Sequence, residues 1–118
     1  MADITDFDIG QGESFEVFAK IYQETSGSVP LDLTDYTFQG QIRETYSSNV
    51  IAATFQIHTG IPEEGELFIR LTPEQTATFD QRRYVYDILM TGPSGSNAHT
   101  RRLLEGRVGV RPAATRGS

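Results

Sequence analysis

Asp3, Asp6, Asp8 and Glu13 place four carboxylates at the start of the chain. Hard cations such as calcium take several oxygen ligands, so a cluster of this kind could hold one. The spacing matches no EF-hand, and Gly10-Gln11-Gly12 follows the acids instead of sitting among them. A solvated acidic segment is the simpler reading. Gly10-Gln11-Gly12 itself lacks the third glycine and the following helix of a phosphate loop, and reads as a turn. Glu63, Glu64 and Glu66 around Gly65 resemble the paired carboxylates of glycoside hydrolysis. Neighbouring residues at a hairpin tip are loosely held by water, which disfavours that chemistry.

His58 and His99 are the two histidines. Either could move a proton near neutral pH. His58 falls on the polar phase of a strand pattern, and His99 follows a Gly/Ser/Asn loop, so both are expected to be exposed. Ser94, Ser96 and His99 have no ordered framework for a nucleophilic triad. Asp87 stands apart, in the middle of the apolar run Tyr84–Met90. A half-buried carboxylate needs a partner. Arg43 and the arginines of residues 101–111 are the candidates, and a cross-strand ion pair on the outer face of a sheet is favoured over a ligand site. Arg82-Arg83 and Arg101-Arg102 form two basic doublets. They are either solvated loop ends or an interface patch, where the planar guanidinium fork meets a neighbour's carboxylates.

Composition narrows the chemistry further. The chain has 118 residues, which suits one domain, and no cysteine, which excludes disulfides, thiolate metal sites and thiol nucleophiles. Net charge is −6, which argues against a nucleic-acid partner. The charge is uneven. Residues 1–66 hold 12 acids and 2 bases, while residues 67–118 hold 4 acids and 8 arginines. Folding either intermixes these charges or leaves a polar molecule that docks head-to-tail. No apolar stretch approaches membrane-spanning length. The acidic N-terminus is not a secretory signal. The expectation is therefore a protein without enzymatic activity, cofactor, metal, nucleic-acid or membrane partner.

The elements that position these residues are strands. Apolar positions recur with period two at Phe15/Val17/Ala19/Ile21, Tyr36/Phe38/Gly40/Ile42, Ile51/Ala53/Phe55/Ile57, Leu67/Ile69/Leu71, Tyr84/Tyr86/Ile88/Met90 and Leu104/Gly106/Val108/Val110. A shorter first strand is expected around Ile4–Ile9, and Val29–Leu33 reads as an edge piece because Pro30 lacks an N–H. Thr72-Pro73-Glu74-Gln75 has the arrangement of a capping box and predicts one short helix, with Phe79 plugging the end of the core. The predicted core is Phe15, Val17, Ile21, Phe38, Ile42, Phe55, Ile57, Leu67, Ile69, Tyr86, Ile88, Leu104 and Val108. The expected fold is an all-β sandwich of about seven or eight strands with one short helix. Residues 1–9 form an extended segment or first strand, 10–111 the sandwich, and 112–118 a flexible or partner-ordered tail.

The order of segments resembles one family. Ile9–Phe15 opens a strand; Val29–Tyr36 follows, then a strand ending Gln41-Ile42-Arg43, then Gly65–Thr76, Tyr84–Ile88 and Arg102–Val108. This is similar to the small immunoglobulin-like proteins of tailed bacteriophages, in particular the N-terminal domain of siphophage baseplate upper proteins. The resemblance spans roughly residues 7–116. It differs at Asp35, where the family pattern often has Gly, and in lacking the long C-terminal region of the receptor-linking proteins. It implies an immunoglobulin-like sandwich and a virion component that contacts other phage structural proteins and copies of itself, at the baseplate, fibre attachment, neck or capsid surface. The expected contact elements are Asp3, Asp6 and Asp8 at one end and Arg111 and Arg116 at the other, with Arg82, Arg83, Arg101 and Arg102 as the patch. Asp87, Arg43, Thr72, Pro73 and Gln75 are expected to serve the fold. The other reading is a soluble carbohydrate- or receptor-binding module that uses exposed aromatics such as Tyr46.

Overall fold

The computed structural model describes residues 3–23, 26–93 and 99–114. Eleven strand segments follow in chain order: β1 (Asp3–Ile4), β2 (Phe7–Gly10), β3 (Phe15–Lys20), β4 (Tyr22–Gln23), β5 (Ser26–Pro30), β6 (Thr37–Arg43), β7 (Ala53–Thr54), β8 (Gln56–Thr59), β9 (Glu66–Leu71), β10 (Arg83–Gly92) and β11 (His99–Arg111). A 3₁₀ turn, Pro62–Glu64, precedes β9, and the helix α1, Pro73–Ala77, follows it.

The larger sheet runs β1-β11-β10-β6-β7, with β2 also on β11, and the smaller runs β3-β9-β8. Their apolar faces meet in one core. The first strand pair lies parallel to the last strand, β6, β10 and β11 are antiparallel neighbours, and the short helix joins the two sheets. This is the all-β sandwich that the alternation predicts. A tyrosine corner supports it. At the start of β10, the Tyr84 hydroxyl accepts from the backbone N–H of Asp80 (3.0 Å) and Gln81 (3.1 Å). Two N–H groups at the bend are thereby satisfied.

Period-two patterning is sharpest where both neighbours are strands. Tyr84, Tyr86, Ile88 and Met90 of β10 are all buried, as are Leu67, Ile69 and Leu71 of β9. Phe15, Val17 and Ile21, together with Phe38 and Ile57, are only half-buried and pack on the core's margin. β3 and β8 are the outer strands of the small sheet, so their inward faces are covered from one side fewer. The expected single strand through Ile51–Ile57 is broken. β7 pairs with β6 in one sheet and β8 with β9 in the other, with Phe55 buried at the crossing. Ile51 lies outside any strand and is exposed. Gly40 makes the crossing possible: a Cβ there would sit 2.9 Å from both the Phe55 ring and Ile88.

Two local predictions are met at α1. The Thr72 hydroxyl accepts from Gln75 N–H (3.2 Å), and the Gln75 side chain accepts from Thr72 N–H (2.9 Å). Phe79 is buried at the end of the core, against the Tyr84 ring. Between β5 and β6, Asp32 accepts from Thr34 N–H and Leu33 C=O from Tyr36 N–H, closing a tight turn. Asp35 occupies its third position at φ 71°, the left-handed conformation that glycine adopts without cost.

The first strand expected around Ile4–Ile9 forms as β1 and β2, and it is built into the large sheet rather than left to reach for a partner. β2 pairs in parallel with Val108–Arg111, and Phe7 and Ile9 lie in the core. Phe7 stacks on Tyr86 at 4.5 Å between centroids. Alternation explains it: Asp6 and Asp8 face out while Phe7 and Ile9 face in. Residue 113 is also tied down, its N–H donating to the Gln11 side chain at 3.1 Å. Residues 115–118, with Arg116, lie outside the described residues.

Candidate functional site

The outer face of the large sheet carries Asp87. Its cross-strand neighbours are Glu105 on β11 and Gln41 on β6. Two carboxylates side by side repel, and Arg102 bridges them, with Nε 3.4 Å from Asp87 and Nη1 3.8 Å from Glu105. This is the cross-strand ion pair expected from the sequence, made by the β11 arginine. Arg43 is engaged elsewhere, donating to Ser48 C=O (2.7 Å) and the Gln41 side chain (2.9 Å). The groups are part-exposed, so the pairing is worth about 0–1 kcal/mol.

Tyr46 covers this face from the β6–β7 connection. Its ring is exposed, but its hydroxyl lies 3.4 Å from Tyr86 C=O and 3.3 Å from Gly106 C=O. Burial of the hydroxyl, then the Glu105 and Asp87 charges, push it above the usual phenol range. Beneath it, Tyr86 donates to Thr5 C=O. A Cβ at Gly106 would come within 2.1 Å of that same carbonyl, so the residue must be glycine for the N-terminal strand to pass. Tyr46 is thus a fastening of β10 and β11 more than an open platform.

The two arginine doublets do not form one patch. Arg83 pairs with Gly109 and Arg102 with Leu89, so the doublets sit at opposite ends of the β10–β11 hairpin. Arg82, Arg83 and Arg111 share the end that holds Asp8, which runs beside Gly109. Asp6 is held within the fold, accepting from Arg107 N–H at 2.9 Å. The side chain of Asp3 lies outside the described residues. Arg70 pairs with Glu16, and Lys20 with Glu64 at 3.9 Å. The Glu16–Arg70 pair joins the acidic and basic parts of the chain, as intermixing predicts.

Among the described residues no group of three acids or histidines could hold a metal ion, and no helix is long and apolar enough to cross a membrane. The described surface has shallow depressions. One of about 360 Å³ lies between Glu44, Val50, Thr78, Asp80 and Tyr84, and another of about 220 Å³ between Gln11, Phe79, Arg82 and Pro112. His58 and His99 line neither.

Exposed apolar side chains collect instead at the sheet margins. Val50 is 73% exposed and Ile51 is exposed beside it, in the connection into β7; Ile61 lies beyond β8. On the small sheet, Phe18 is 52% exposed, against Phe68 with ring centroids 5.1 Å apart. His58 stands opposite Phe68 on the next strand. Phe18 and Tyr22, on the outer side of the strand pattern, suggest a partly covered face, but both are exposed: a period of two shows which residues share a face without showing what covers it. No protein-family model and no curated protein matches the chain.

Proposed function

We propose that this chain is a non-enzymatic structural component of a tailed-phage virion, an adaptor that works through protein–protein contacts with other virion proteins and copies of itself. The observation that carries the contact role is the placement of exposed apolar side chains. Val50, Ile51, Ile61 and Phe18 lie along sheet margins, where a neighbouring chain can cover them. The virion assignment rests on the order of the sequence segments. It is supported by where three of them fall: Leu31–Tyr36 in the tight turn, Thr72–Gln75 in the capping box, and Tyr84–Ile88 from the tyrosine corner into β10. All three specify the sandwich and leave its surface to vary. Arg82, Arg83 and Arg111 gather at one end of the hairpin and offer guanidinium groups for contacts there. The test is to purify particles from the producing culture on a density gradient and probe them with an antibody to this chain. Co-migration with intact particles, and immunogold label on them, is the expected result. Intact particles that carry the other structural proteins without this chain would overturn the proposal.

A further inference from the structure

The β3 strand is an edge whose backbone is open. In its ladder with β9, Ile21 N–H donates to Gly65 C=O at 2.8 Å. Alternation then directs the backbone groups of Phe15, Val17, Ala19 and Ile21 toward β9, and those of Glu16, Phe18 and Lys20 away from it. Among the described residues nothing hydrogen bonds to that outer side. An unpaired row of this kind is a template for another strand. The side chains on it also read as a recognition surface, because Glu16, Phe18 and Lys20 are evenly spaced with opposite charges at the ends.

We propose that two copies of this chain join through β3, antiparallel about a two-fold axis at Phe18. The inference deepens the self-association in the proposed function and rests only on that part of it. The sequence is self-complementary in this register. Glu16 meets Lys20 of the second copy, Phe18 meets Phe18, and Lys20 meets Glu16. All three are outward-directed residues, so each N–H finds a carbonyl across the axis. The rows then continue through both molecules. Arg70 faces Glu16 and Glu66 faces Lys20 within one chain. Joining the edges gives the order Arg70, Glu16, Lys20, Glu66 across four strands, with charge alternating at every step. The middle row becomes His58, Phe68, Phe18 and then the same three in reverse, which covers the exposed Phe18 ring. On the other face, the half-buried Val17 meets Ala19 of the second copy, supplying the side cover the core margin lacks. An isologous contact of this kind closes at two copies and leaves the larger sheet free for other partners.

The register gives a sharp test. Glu16→Lys places lysine opposite lysine, and Lys20→Glu places glutamate opposite glutamate. Each variant alone should dimerise at least about tenfold more weakly than wild type in sedimentation equilibrium. Mixed together, the two restore complementarity at both ends, so a heterodimer should form and appear in native mass spectrometry. Phe18→Pro removes an outward N–H without touching the β9 ladder, and should leave a folded monomer by circular dichroism. A wild-type chain that stays monomeric at all concentrations would overturn the proposal. So would single-charge variants that dimerise like wild type, or a mixture that fails to pair. Dimerisation without recovery of the chain in particles would reject the virion reading and leave this one standing.

Discussion

Replacing Phe7 with alanine tests whether the N-terminal segment belongs to the core. The ring is buried, stacks on Tyr86 at 17° between planes, and contacts Phe15 at 5.3 Å and the edge of Phe55 at 6.2 Å. Truncating a buried Phe costs about 3–5 kcal/mol in lost transfer energy and residual cavity. The site lies between two sheets fixed by their own ladders, so it has little room to collapse, and the stacked ring adds to the loss. The upper half of the range is expected, roughly 4–5 kcal/mol. Domains of this kind are stable by about 5–15 kcal/mol, so the loss is from about a third to nearly all of the total. The melting temperature should fall by about 15–20 °C at this chain length. Urea unfolding followed by far-ultraviolet circular dichroism suits a chain without tryptophan. The control is Asp8→Ala on the exposed face of the same strand, which should move stability by less than about 0.5 kcal/mol. A loss below about 1 kcal/mol for Phe7→Ala would refute the packing argument, and with it the role of β2 as a core strand.

Asp35→Gly should raise stability by about 0.5–1 kcal/mol, because it relieves a left-handed side chain and gives back part of that gain in unfolded-state entropy; an unchanged or lower melting temperature would count against strain at this turn. Stability should also fall at alkaline pH. Burial, first among the causes, raises the Tyr84 and Tyr86 hydroxyls above their ordinary values. The folded state therefore holds protons that the unfolded chain releases above about pH 10, and stability present below that pH declines as pH rises. Urea midpoints between pH 8 and 11 report it, and a flat profile would contradict the buried placement of both rings.

The strand content and the capping box at Thr72 were legible because each is a local pattern, and Asp87 in an apolar run announced the need for an arginine without showing which one. Alternation fixed which face of β9 and β10 is apolar, and Thr-Pro-x-Gln carries its own hydrogen bonds. What was not legible is non-local. A first strand was expected around Ile4–Ile9, but Phe7 and Ile9 were not placed in the core, because their ladder partner, Val108–Arg111, is about a hundred residues away. Ala53, Phe55 and Ile57 keep one alternation while the chain changes sheets, since side-chain period is blind to which neighbour takes the backbone hydrogen bonds. The surface row of Phe18 needed the β3–β9 register before its exposed position had meaning. Asp35 gave a usable signal, an acid where the resembling family often has glycine, and the positive φ supplies the reason.

The parallel pairing of β2 with β11 has a consequence for how the molecule comes into being. Asp6 and Arg107, joined across that seam, are 101 residues apart. A contact of that separation forms slowly, because closing a long loop precedes any gain from it. During synthesis, Phe7 and Ile9 emerge about a hundred residues ahead of their ladder partner. β10 waits likewise for one of its two neighbours. Until Val108–Arg111 has been made, the nascent chain presents unmatched strand edges and uncovered rings, the condition in which chains aggregate. The seam between first and last strands therefore acts as the closing stitch of the fold, and folding of the sandwich is timed by the arrival of its final strand.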